Sequence, residues 1–169
     1  MPNLGHYALA ELEEKIGDHV FLCTQNVDDL HERSGSRNMV HMHGELFKSR
    51  CEAGCGAPII KDRNSYNSLE EIPWCTCGAR LRPHIVWFGE IPLEMPRIEQ
   101  EIDRCSVLLV VGTSGVVHPA ASLVQWVRMR ATPAQTYYVG PGTPVNAAAF
   151  TRIFLDNAVE KLPGLFHVL

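Results

Sequence analysis

The sequence predicts an α/β protein: a parallel sheet with helices on both faces, plus a small inserted module built around four cysteines. Three observations carry this expectation. Short, nearly continuous apolar runs such as Val107-Leu-Leu-Val-Val111 alternate with stretches of helical spacing. Strands separated by helices imply right-handed crossovers, and so a parallel sheet. Between residues 51 and 82 the periodicity lapses, and glycines, prolines and paired cysteines take over.

Taken in order, Asn3 to Ile16 is an amphipathic helix, because Ala8, Leu9, Leu12 and Ile16 recur at helical spacing and Gly17 can stop it. Val20-Phe-Leu-Cys-Thr24 is short and apolar, which suits a strand buried on both faces. The polar segment Gln25 to Arg33 then leads into a short helix ending at Ser34-Gly35. Val107 to Val111 is the clearest buried strand. It ends at Gly112-Thr-Ser-Gly115, and a helix follows from Pro119 to Arg130. Gln135 to Val139 and Arg152 to Leu155 supply further strands. A closing helix runs from about Ala158 toward Phe166, with Pro163-Gly164 as the point where it can break. The expected division is a sheet domain over residues 1–50 and 83–169, and an inserted module over 51–82. Ligands in such sheets bind where loops leave the carboxyl ends of the strands. Gln25-Asn26-Val27-Asp28 and Gly112-Thr113-Ser114 both stand there.

Composition narrows the function classes. A chain of 169 residues can bury one core and carry one small module. A net charge of −4 with scattered Lys and Arg argues against a nucleic-acid binder held by phosphate contacts. No apolar stretch approaches the roughly 20 residues that span a bilayer. Met1-Pro2-Asn3 opens neither a signal peptide nor a basic transit sequence, so the expected location is the cytoplasm.

Four of the six cysteines, Cys51, Cys55, Cys75 and Cys77, cluster as Cys51-x3-Cys55 and Cys75-x-Cys77. Without an export signal, such a cluster reads as a metal site rather than a disulfide frame. Two close thiolate pairs across a loop can form a tetrahedral sulfur shell for zinc, and Gly54, Gly56 and Gly78 permit the turns. The second pair is tighter than the usual two to four intervening residues, and the alternative is a metal-free loop with free thiols. Four thiolates leave no open position, so the zinc would hold the fold and activate no water. Cys23 and Cys105 stand alone beside apolar runs and read as small core residues.

Three polar segments carry potential chemistry. In Thr24-Gln-Asn-Val-Asp28, amides and a carboxylate sit at a strand end, where they can also simply cap the next helix. In His41-Met-His-Gly44, alternation on an extended segment puts both histidines on one side, and Gly44 allows close backbone approach. Gly112-Thr-Ser-Gly115 can bind ribose or phosphate, or be a plain strand-to-helix turn.

In this order, the segments together are far more specific. With Arg82-Pro-His-Ile-Val-Trp-Phe-Gly-Glu90, the split cysteine pairs and Leu162-Pro163, the chain resembles the sirtuin family of NAD-dependent protein deacylases from Pro2 to its end. Asp28-Asp-Leu-His-Glu-Arg33 and Val86-Trp-Phe-Gly-Glu90 look most like the bacterial and mitochondrial desuccinylase branch. The resemblance implies a Rossmann-like NAD domain with a zinc ribbon, and removal of acetyl, succinyl or malonyl groups from protein lysines to give nicotinamide and O-acyl-ADP-ribose. It assigns His43 as general base, since an imidazole with a pKa of about 6.5 suits proton removal near neutrality. Gln25, Asn26, Val27 and Asp28 would line the nicotinamide and ribose site, with Val27 as a packing member. Gly112, Thr113, Ser114 and Ala158 would meet the adenosine half. Val86, Phe88, Gly89 and Glu90 would take the acyl-lysine peptide by strand addition. Trp87 and Phe88 are expected in the acyl channel and core.

The chain departs from the family in several places, among them Asp156-Asn157-Ala158, which replaces a more usual glycine-containing turn. Its match begins beyond the family's first strand, Gly-Ala-Gly diphosphate loop and following helix, which carry the acidic-acyl recognition residues. Gly140-Pro-Gly142 also stands where an adenosine-contacting asparagine is common. Two readings compete with the deacylase. One is a zinc-stabilised fragment or pseudoenzyme that binds acyl peptides or a partner, and the other is mono-ADP-ribosyl transfer in the same pocket.

Overall fold

The structure, a computed structural model, describes residues 1–113 and 120–166. The chain folds as two compact units. One comprises Met1–Phe21, Leu30–Asn38 and Met95–Leu169, and the other Leu22–Asp29 and Met39–Glu94.

The first unit is the α/β layer structure. Its sheet has the order β6 (Val107–Val111), β7 (Gln135–Gly140), β8 (Arg152–Leu155), all parallel. Helices α1 (Leu4–Ile16) and α5 (Ala158–Leu165) cover one face, where Ala8, Val139, Leu162 and Phe166 form a core flanked by Leu109, Val111 and Phe154. Side chains alternate along a strand, so Val110 and Tyr138 belong to the opposite face. There α4 (Ala120–Met129) brings Ala121 and Val124 beside Val110 and Phe150. Val107–Val111 was expected as a buried strand. Instead it is an edge of the sheet, with Val107 exposed, and the central β7 holds the fully buried Thr136 and Val139.

Local chemistry sets the ends of α1. The Asn3 side chain caps the Gly5 and His6 N–H groups, and Gly17 closes the helix at φ +59. Gly5 brings α1 close to α5, where a Cβ would lie 3.4 Å from the Ala158 carbonyl oxygen. The short α2 (Leu30–Ser34) packs on α1 through the His6 and His31 rings, 4.8 Å apart. α5 continues through Pro163, which forfeits the bond its missing N–H would make to the Val159 carbonyl and crowds that carbonyl. α3 (Met95–Arg104) buries Ile98 and Ile102.

The second unit is built from β1 (Leu22–Thr24), β2 (Met39–His41), β3 (Gly44–Cys51), β4 (Ile60–Lys61) and β5 (Leu81–Ile85). β1 and β2 pair in parallel, and β4-β3-β5 form an antiparallel sheet. The unit bearing the cysteines is therefore broader than residues 51–82. β3 leads into the first cysteine pair and β5 leaves the second, and the two strands form one ladder from Gly44↔Ile85 to Cys51↔Leu81.

Candidate functional site

The cysteine cluster is built by that ladder. β3 ends on Cys51, and the Gly54 N–H turns back to the Cys51 carbonyl at 3.3 Å. On the other side, the Cys75 N–H donates to Ala79 at 2.7 Å and the Gly78 N–H to Cys75 at 2.9 Å. Gly54, Gly56 and Gly78 all have positive φ, as such knuckles require. The four Sγ atoms lie within 4.8 Å of one another, with Cys51–Cys77 and Cys55–Cys75 both at 3.5 Å. A zinc with Zn–S bonds of about 2.3 Å needs sulfurs about 3.8 Å apart, so the donor set fits the metal despite the tight Cys75-x-Cys77 spacing. Thiol chemistry agrees. The Cys55 N–H, with help from Cys77, pulls the Cys51 thiol down to about 6. The Ala57 N–H also acts on Cys55, but the shared bonds with Cys51, Cys75 and Cys77 drive that thiol up to about 12. Sulfurs this close cannot all ionise without a cation among them. Cys23, in contrast, is pushed up to about 11 by burial, and burial also raises Cys105. Neither behaves as a reactive thiol.

In the same unit, β1 delivers Gln25-Asn26-Val27-Asp28. The Asn26 N–H bonds Thr24 Oγ1 at 3.1 Å, and the Leu46 N–H ties the Val27 carbonyl to β3 at 2.7 Å. Asn26 is exposed, while Gln25, Val27 and Asp28 are half-buried. The two histidines address consecutive carbonyls of this segment: His43 Nδ1 lies 3.2 Å from the Gln25 oxygen, and His41 Nδ1 lies 2.9 Å from the Asn26 oxygen. A carbonyl can only accept, so each Nδ1 carries the proton. In the neutral His43 ring this places the lone pair on Nε2, the tautomer a general base needs. The expected alternation along an extended His41–His43 run does not hold. β2 ends at His41, and Met42-His43 form a turn before β3. His41 is buried and His43 half-buried. Gly44 makes the turn possible: its φ is +84, and a Cβ there would strike the His84 carbonyl and lie 2.9 Å from Ile85 Cα.

The loop from Arg82 to Glu90 follows β5. The Val86 N–H is taken by the His43 carbonyl at 2.9 Å. Glu90 organises the loop. One carboxylate oxygen bonds Arg82, and the other accepts from Arg50 at 3.0 Å, the Trp87 N–H at 3.0 Å and Arg82 at 3.1 Å. The Arg82 bond, then the Trp87 N–H, hold its carboxyl down at about 2. Arg82 also stacks on Trp87, 3.6 Å from the ring centroid. Trp87 is exposed and Phe88 wholly so, and neither is a core residue as expected. A loop that presents its aromatic side chains outward cannot pack them beneath the sheet. Gly89 turns the chain at φ +92.

In the first unit, Gly112 ends β6 at φ +67, and its N–H bonds the Val139 carbonyl at 2.9 Å. Thr113 borders a cavity of about 10 Å³, and Ala158 opens α5 behind its cap, Asn157. Ser114 lies outside the described residues. At Gly140, the end of the Tyr138 ring fills the space of a side chain: a Cβ would meet Tyr138 Oη and lie 2.6 Å from Cζ. Sequence reasoning missed Arg50, whose guanidinium shares Glu90. No local spacing marks it, because its partner lies across the ladder.

One unit is thus a parallel α/β layer structure, and the other carries a tetrathiolate cluster and an amide-rich strand end beside His43. The chain belongs to the Sir2 family, whose profile matches residues 1–119. It is 42% identical to an NAD-dependent protein deacylase of Shewanella oneidensis, over 100% of this chain and 68% of that protein. It is 49% identical to one of Pasteurella multocida, over 73% of this chain and 52% of that protein. The chain thus spans between about half and two thirds of these relatives. Among solved structures, a Sir2 homologue in complex with NAD matches 99% of this chain and 64% of its own at TM-score 0.87 and 36% identity. A Sir2 bound to acetylated peptide matches 99% and 70% at TM-score 0.84 and 30% identity.

Proposed function

We propose that the protein removes acyl groups from protein lysines in an NAD-consuming reaction, with His43 as general base. The observation that carries this is the Gln25 carbonyl on His43 Nδ1, which fixes the tautomer whose Nε2 can accept a proton. NAD, when bound, supplies an electrophilic ribose carbon and hydroxyls whose proton a base must take. Gln25, Asn26 and Asp28 line the nicotinamide side, with Val27 held by its bond to Leu46. Gly112, Thr113, Ser114 and Ala158 serve the adenosine half. The peptide adds as a strand along Val86 to Gly89, and Glu90 gives that loop its shape through Arg50 and Arg82. Zinc on Cys51, Cys55, Cys75 and Cys77 holds the module and takes no part in proton transfer. Protein substrates are acyl-lysine segments, and the work is done in the cytoplasm.

The test measures nicotinamide release and O-acyl-ADP-ribose formation by the full protein, with NAD and with acetyl-, succinyl- and malonyl-lysine peptides. His43→Tyr is expected to abolish turnover, and His41→Ala to retain most of it. Turnover that survives His43→Tyr refutes the base. A protein that binds acyl peptides but never consumes NAD is a binding module.

A further inference from the structure

Arg63 belongs to no motif, yet it is held with unusual care. It follows β4, whose pairing with β3 sets Lys48↔Lys61 and Ser49↔Ile60. The intervening Asp62 is tied from several sides. Its N–H donates to the Phe47 carbonyl at 2.9 Å. Its carboxylate accepts from Ser49 Oγ at 2.7 Å, Tyr66 Oη at 3.0 Å and the Asn64 N–H at 3.1 Å. With the backbone fixed on both sides, the Arg63 guanidinium lies 4.0 Å from the Phe47 ring centroid and donates to Asp29 Oδ2 at 2.7 Å. Asp29 closes the Gln25–Asp29 segment. The Leu46–Val27 main-chain bond ties the same segment directly to β3. β3 itself runs on into Cys51, and β4 lies between the two cysteine pairs in sequence.

We propose that Arg63 is a positioning residue that carries the rigidity of the cysteine-held module into the Gln25–Asp29 loop, and so tightens binding of the nicotinamide half of NAD. This rests on the reading of that loop as part of the NAD site. An exposed ion pair alone contributes up to about fivefold in an equilibrium, because solvent screens it. Stacking on an aromatic ring adds a comparable factor. Losing both is therefore expected to loosen the loop about three- to tenfold.

The experiment compares wild type, Arg63→Ala, Arg63→Lys and the charge exchange Arg63→Asp/Asp29→Arg in the zinc-loaded full protein. Arg63→Ala is expected to speed amide hydrogen exchange at residues 26–29 and raise KM for NAD, each about three- to tenfold, with kcat within about twofold. Zinc content and melting temperature should not change. Arg63→Lys should fall between, and the charge exchange should recover part of the loss. Unchanged exchange in Arg63→Ala overturns the coupling. So does loss of zinc or a general fall in melting temperature, since Arg63 would then merely hold the module together. If wild type neither binds nor consumes NAD, the functional reading fails instead, and the exchange rates alone still decide whether Arg63 holds the loop.

Discussion

Gly44→Ala is the sharpest single perturbation this structure offers, because two independent penalties meet at one methyl group. Gly44 has φ +84, and an L-residue held there costs about 1–2 kcal/mol. The added Cβ would also strike the His84 carbonyl and lie 2.9 Å from Ile85 Cα, both backbone atoms of a paired strand with no rotamer to escape into. Pushing β5 away costs about 1–3 kcal/mol in overpacking. It also endangers the Val86–His43 bond at 2.9 Å, worth about 0.5–1.5 kcal/mol. The total is about 2.5–6.5 kcal/mol, a large share of the ~5–15 kcal/mol that typically holds a domain together. Gly89 supplies the control within the same unit: its φ is +92, and nothing lies within 4 Å of its would-be Cβ. Gly89→Ala should therefore lose only the backbone part, about 1–2 kcal/mol. Urea unfolding of the zinc-loaded protein, followed by circular dichroism, reads both. Equal losses for the two variants would mean that the close approach of β3 and β5 carries no stability, and the reasoning would be wrong.

Two further outcomes follow from the metal module and the Glu90 cluster. Freshly purified protein should hold one zinc per chain by elemental analysis, and Cys75→Ala should release it and expose residues 51–82 to proteolysis. Metal-free fresh protein would refute the tetrathiolate site. Glu90 titrates at about 2 in the fold against an ordinary 4.5, so its pairs stabilise the protein fully above about 4.5 and lose that contribution as pH falls toward about 2. The stability gap between wild type and Glu90→Gln should accordingly be widest near neutrality, shrink below about pH 4.5 and close near pH 2. A gap independent of pH would remove Glu90 from the account.

Local signals in the sequence were enough for much of this architecture. Asn3 and Gly17 bracket α1 as cap and stop, and β8 spans Arg152–Leu155 as its apolar run suggests. The cysteine pairs likewise stand out by spacing, whereas Gln25–Asp28 gained its reading only from the family resemblance. What escaped was long-range or half-hidden. The β3–β5 ladder joins residues some thirty to forty positions apart, and Gly44–Cys51 mixes charged and apolar residues with a bulge between Glu45 and Ser49, so no clean alternation announces it. α3 was legible but missed: Met95, Ile98 and Ile102 recur at helical spacing among charges. The depth of β6 was misjudged because an apolar run records hydrophobicity, not a place in the strand order. Arg50 and Arg63 act through partners that only folding brings near.

The Tyr138–Gly140 contact constrains how this strand end can change over evolutionary time. The tyrosine ring occupies the volume a side chain at 140 would claim, so position 140 cannot be enlarged while the ring at 138 stays in place. A side chain at 140 fits only once the ring at 138 has moved or been given up. A single-step path that begins at 140 passes through an overcrowded intermediate. Substitution histories at these sites should therefore run in a fixed order, with 138 leading and 140 following.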